Sequence, residues 1–192
     1  MAWVGGNFYL NDEQQKINAE YLWGFFSARG WTLNAVSGML GNMETESTIN
    51  PGIWQSLDPS HPQPWGFGIV QWTPSTKYTD WCTANGLLYT EMDSNLLRII
   101  YEVENNIQWI QTLDYPLTFE DFTVSEEPPY YLAMAFLRNY ERPADMNQPW
   151  RGTQANKWYE YISGIIPPEP PTNKRKMPIY FYLRKEIPHG IK

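Results

Sequence analysis

Most of the apolar positions in this chain recur at helical spacing. In residues 12–29, Ile17, Tyr21, Phe25 and Ala28 form a stripe, with Asn11 and Gln14 as a capping box and Gly30 as the stop. Residues 33–46 carry a second stripe of Leu33, Val36, Met39, Leu40 and Met43 behind the capping residue Thr32. Gly38 and Gly41 interrupt that helix at about 1 kcal/mol each relative to alanine, which points to another backbone passing close by. The pattern predicts further helices over 75–85, from a cap at Asp93 to about 111, near 118–124, from Pro128-Pro129 to Tyr140, and over 151–162. In the last of these Ala155, Trp158, Tyr159 and Ile162 face inward.

Residues 53–73 break the helical register. They hold Pro59, Pro62 and Pro64, then Trp65-Gly66-Phe67-Gly68-Ile69-Val70-Gln71-Trp72. This reads as an irregular loop feeding a short strand or hairpin, so the fold class expected is α+β, mostly helical. Pro167-Pro168-Glu169-Pro170-Pro171 reads as an extended spacer. The expected organisation is one domain over 1–164, a linker over 165–173 and a basic tail over 174–192, in which 177–184 alternates weakly like a strand.

Charge sharpens this division. The chain carries a net −7. From residue 166 onward Lys174, Arg175, Lys176, Arg184, Lys185 and Lys192 face only Glu169 and Glu186, a local +4 that leaves −11 for the remainder. An acid-rich body makes nucleic acid a poor partner. No apolar run approaches the ~20 residues a membrane span needs. Two histidines and one cysteine make no typical structural zinc site, and nothing else calls for a cofactor. The N-terminus lacks the basic and apolar regions of a signal peptide.

The candidate chemistry lies in Gly41-Asn42-Met43-Glu44-Thr45-Glu46-Ser47. Three residues past Met43, the apolar stripe lands on Glu46, whereas Glu44 points about 200° away toward solvent. A carboxyl group on a half-buried face at the negative end of a helix has two surroundings that favour its neutral form. A neutral acid is what glycosidic cleavage requires, because the departing sugar oxygen needs a proton. A salt bridge or a loop cap would use the same residue equally well.

Glu46-Ser47, followed about twenty residues later by 66–72, resembles the goose-type and lytic-transglycosylase branch of the lysozyme superfamily. The resemblance is closer to the tail lysozymes of short-tailed phages. It is carried in order by Gly38-Met39-Leu40-Gly41-Asn42-Met43, Glu46-Ser47-Thr48-Ile49-Asn50-Pro51-Gly52, Gly66-Phe67-Gly68, Val70-Gln71-Trp72-Thr73-Pro74 and Tyr140-Glu141-Arg142-Pro143. It implies a lysozyme-like fold over about 8–164 and cleavage of the β-1,4 bond between N-acetylmuramic acid and N-acetylglucosamine in bacterial peptidoglycan.

By the same resemblance Glu46 is the catalytic acid. Gly66, Phe67, Gly68, Gln71 and Trp72 line the sugar groove, with Gln71 as a donor to an N-acetyl or hydroxyl group. For Trp65 and Trp72, core packing is favoured over stacking on a sugar. Tyr140 bonds to the acid or lines the cleft. The second carboxyl is sought among Asp58, Glu141 and Glu44, in that order. For Asp58 the competing reading is a loop cap, and for Glu141 and Arg142 a local salt bridge.

Without a second carboxyl the same site would suit a lytic transglycosylase. A non-catalytic wall-binding or structural tail protein is the reading outside enzymes. A peptidase built on Cys82 is disfavoured against a buried thiol, with His61 in a proline loop and His189 near the C-terminus. The expected setting is a phage tail tip, with other tail proteins as partners, and an endolysin released by lysis as the alternative.

Overall fold

The computed structural model describes residues 2–60 and 65–165. The basic tail and nearly all of the proposed linker lie outside the described residues. Seven α-helices are formed among them: α1 (Asp12–Ser27), α2 (Leu33–Ser47), α3 (Thr76–Ala84), α4 (Met92–Glu104), α5 (Phe119–Thr123), α6 (Pro129–Phe136) and α7 (Trp150–Ile165). A π-helical turn, Leu137–Glu141, continues α6. Among the described residues no helix is long and apolar enough to cross a membrane.

Helix α2 is the central element, packed chiefly against α7 and α6. Val36, Met39, Leu40 and Met43 are completely buried. The two glycines serve as expected. A Cβ on Gly38 would lie 2.8 Å from Leu132 Cβ of α6, and one on Gly41 would strike the Arg151 carbonyl oxygen and sit 2.8 Å from the Ala155 nitrogen of α7. Only glycine lets the helices approach this closely.

Four expectations change. On α1 the buried face is Gln15, Asn18, Ala19, Leu22, Trp23 and Phe26, while Ile17 is exposed. The misleading residues are polar ones with work inside. Asn18 donates to the carbonyls of Val4 and Ile49 and accepts from the Val4 amide, clamping the N-terminal segment across α1 and α2.

Helix α4 begins behind Glu91, not Asp93, and ends at Glu104 rather than near 111. Asn106 takes a left-handed φ of 49°, and the Ile107 amide reaches back to the Glu102 carbonyl, a Schellman closure that strands Ile110 in solvent. Helix α7 runs on through Ile165, the first residue assigned to the linker.

The predicted hairpin is not formed as a strand pair among the described residues. Phe67 makes single antiparallel bridges to Trp54 and Trp72. Positive φ at Gly68 (84°) and Gln71 (49°) folds the chain back within four residues, too tightly for a ladder to extend.

Candidate functional site

The end of α2 is held in an unusual conformation. Thr48 and Ile49, both β-branched, have left-handed φ values of 56° and 59°. Such conformations cost about 1–3 kcal/mol each and persist only where their surroundings enforce them. Here Ser47 Oγ donates to the carbonyls of Met43 and Ile69 and accepts from the Asn50 amide, while Thr48 Oγ1 accepts from the Leu10 amide. This fixes Glu46 two residues before the strained pair and, through Ser47, ties that helix end to the 66–72 turn.

Glu46 opens on a cleft of about 450 Å³. Val70, Gln71, Trp72 and Thr73 form one wall; Gln108, Tyr140, Glu141, Arg142 and Pro143 form another; Gln55 and Lys77 complete it. Of the residues expected from sequence, Glu46, Glu141, Gln71, Trp72 and Tyr140 therefore meet here. Gly66, Phe67 and Gly68 are buried behind the wall rather than lining it, with Phe67 wholly in the core beside Tyr78 and Trp54.

Gln71 does not keep a free donor for a sugar. Its amide nitrogen is committed to the carbonyls of Ile53 and Gly68, so it shapes the turn. Trp72 is core, stacked on Tyr78 at 4.4 Å with its indole nitrogen donating to Glu102. Tyr140 likewise sends its hydroxyl to Glu102, not to Glu46.

Asp58 does not line the cleft. It closes its own loop, accepting from the Ser60 amide at 2.8 Å and the Ser60 hydroxyl at 2.6 Å. Glu44 does not point to solvent. Its carboxylate takes Lys157 Nζ and Trp158 Nε1, each at 2.7 Å, and so fastens α2 to the second half of α7.

The two cleft carboxyls have opposite surroundings. Glu46 Oε1 receives Arg151 Nη2 at 2.6 Å, and that arginine is nearly buried, its Nε donating to Gln148. Glu141 makes no salt bridge with Arg142, whose Nη1 donates to the carbonyls of Gln108 and Asn139. Glu141 Oε1 is buried and meets no hydrogen-bond donor. Burial pushes its carboxyl well above the usual glutamate range, with Glu46 and Glu102 adding repulsion and Arg151 and Arg142 pulling back. One acid in the cleft is thus ion-paired while burial disfavours the charged form of its neighbour, the kind of divergence that separates acid and base roles in active sites. Among the described residues no group of three or more His, Cys, Asp or Glu side chains is gathered to hold a metal.

Sequence reasoning missed Arg151 and Glu102. Arg151 was within reach. Four residues before Ala155, it extends the apolar stripe of α7 just as Glu46 extends that of α2. Glu102 was not, because an Arg98–Glu102 pair four residues apart looks like any exposed helical pair.

The chain matches the family model for phage tail lysozyme over residues 17–162. It is 53% identical over 158 residues to morphogenesis protein 1 of Bacillus phage B103, an alignment covering 82% of this chain and 42% of that protein. The chain therefore spans less than half the length of this relative. The matched region contains the whole cleft, from Glu46 to Arg151, and with it the chain belongs to the phage tail lysozyme family.

Proposed function

We propose that the chain cleaves the β-1,4 bond between N-acetylmuramic acid and N-acetylglucosamine of peptidoglycan, with Glu46 and Glu141 as the acid–base pair. The observation that supports this most is the meeting in one cleft of Glu46, held by Arg151, and Glu141, whose buried Oε1 has no donor. Glu141, whose charged form burial disfavours, lines the same cleft as Glu46. Glu46, fixed at the end of α2 by the Ser47 network, is the group placed to give a proton to the departing sugar oxygen in this reading. In the phage this activity opens the host wall locally as DNA enters, the protein being carried in the tail with other tail proteins. Finding the chain in purified virions supports that placement, and finding it only in lysates of infected cells refutes it.

The test of the chemistry is Glu46→Gln, which keeps shape and removes the proton. Loss of a general acid costs about 10²–10⁴-fold in rate. Muropeptide release from purified peptidoglycan should fall by that much, with binding retained. An unchanged rate would identify a wall-binding module instead.

A second reading has an observation in its favour. Burial disfavours the charged form of Glu141 that a base for water needs, and Asp58 stands outside the cleft. Lytic transglycosylation needs no such base, because the C6 hydroxyl of the sugar attacks. Mass spectrometry separates the two: reducing ends mark hydrolysis, and anhydro-muramyl ends mark transglycosylation.

A further inference from the structure

Below the cleft lies a carboxylate that touches neither the open space nor the proposed reacting bond. Glu102 of α4 is 1% exposed, yet it satisfies donors from two walls. Its Oε1 accepts Trp72 Nε1 at 3.0 Å and Arg98 Nε at 2.9 Å, and its Oε2 accepts the Tyr140 hydroxyl at 2.5 Å. Trp72 ends the 66–72 turn, and Tyr140 belongs to the π-helical turn that presents Glu141. These two segments have no main-chain hydrogen bond to one another among the described contacts.

We propose that Glu102 is a positioning residue that fixes the spacing of the two cleft walls and, through Tyr140, the setting of Glu141. The inference rests on the glycosidase reading above. Its physical basis is that a buried ion pair is an inefficient source of stability, since desolvation offsets most of the attraction, and an apolar pair of similar volume serves as well. What an apolar pair cannot do is hold an indole and a phenol at defined angles through directional bonds. Arg98 completes the arrangement, its guanidinium centred 5.4 Å from the rings of both Trp81 and Tyr101.

The electrostatic part follows from the groups around Glu141. Glu46, Arg151, Glu102 and Arg142 all act on it, and Glu102 disfavours its ionisation. Burial pushes the Glu102 carboxyl itself upward, against the pull of the Tyr140 hydroxyl, Arg98 and Trp72. Removing the Glu102 carboxyl lets Glu141 lose its proton at lower pH, so the alkaline limb of the pH–rate profile shifts downward.

The experiment compares wild type, Glu102→Gln, Tyr140→Phe and the double variant, measuring kcat/KM on purified peptidoglycan across pH. Misplacement of a reacting group by about an ångström costs on the order of 10²-fold, so each single variant should lose ~10- to 100-fold. The double variant should lose no more than the worse single, because both remove one shared contact. Glu102→Gln should also move the alkaline limb to lower pH, which a purely structural defect would not do. Wild-type kcat/KM and an unmoved limb in Glu102→Gln overturn the proposal. If Glu102→Gln fails to fold, Tyr140→Phe decides alone: it keeps the ring and its stacking on Phe136, so undiminished turnover overturns the claim. An inactive wild type would instead refute the glycosidase reading.

Discussion

Gly41→Ala tests whether the close approach of α2 and α7 sets the geometry of the cleft. On an exposed helix this change stabilises by about 1 kcal/mol. Here the new methyl strikes the Arg151 carbonyl oxygen, and lies 2.8 Å from the Ala155 nitrogen and 3.0 Å from its Cβ. Comfortable separations are ~3.5–4.0 Å. Two of the obstacles are backbone atoms that no rotamer change can clear, so α7 must retreat by roughly an ångström.

Overpacking of this kind costs up to about 3 kcal/mol, which leaves a net loss of about 2 kcal/mol after the gain in helix propensity. For a chain of this size that lowers Tm by roughly 4–8 °C. The residue pushed away is the one whose guanidinium grips Glu46, so kcat/KM should fall by ~10-fold or more as well. Thermal unfolding by circular dichroism and turnover on peptidoglycan are the assays. A variant more stable than wild type and fully active would show that the seam has slack, and would refute the packing argument.

Two further outcomes follow from the same contacts. Glu141 holds its proton to higher pH when folded than when unfolded, so its contribution to stability is complete below the ordinary glutamate range of ~4.3 and is lost as pH rises through the folded value. Glu141→Gln should therefore raise Tm at pH 7 relative to wild type but not at pH 3.5, while lowering turnover; an equal effect at both pH values would contradict the assignment. Cys82 is completely buried, and burial pushes its thiol up to about 11, so iodoacetamide at pH 8 should leave the native chain unlabelled and active and label it only after denaturation.

The parts of the fold that were legible in the sequence are those where apolar periodicity and punctuation agree. Helix α2 shows its stripe, its Thr32 cap and its two close-contact glycines without ambiguity. Legibility failed where polar residues do interior work. Gln15 and Asn18 occupy the true inward face of α1, and their presence shifted the apparent stripe by one position to Ile17. It failed again where a stop depends on backbone geometry rather than residue class. Asn105-Asn106 ends α4 through a left-handed turn that no glycine or proline announces.

The 66–72 segment is rich in strand-forming residues. Its turn is closed by Gly68 and by the Gln71 side chain, and that side-chain role is invisible in a hydropathy pattern. Asp58 was favoured for its place between motifs, but a loop aspartate beside Ser60 finds a partner two residues away more readily than one across a cleft.

The seam between α2 and α7 explains why the site is where it is. Each helix carries an apolar stripe whose next position is charged, Glu46 on one and Arg151 on the other. Packing the stripes through Gly41 brings these ends together at the edge of the core, with Arg151 3% and Glu46 20% exposed. A seam selected for stability alone would continue with leucine or alanine at both positions, because breaking hydration for an ion pair gains little. Its retention here, at the mouth of a cleft and beside a carboxyl with no donor, fits a general pattern. Local departures from good packing gather where a protein does chemistry. The same core that holds the helices together therefore also sets the ion pair at the mouth of the cleft, and a substitution that moves the seam should register in turnover as well as in stability.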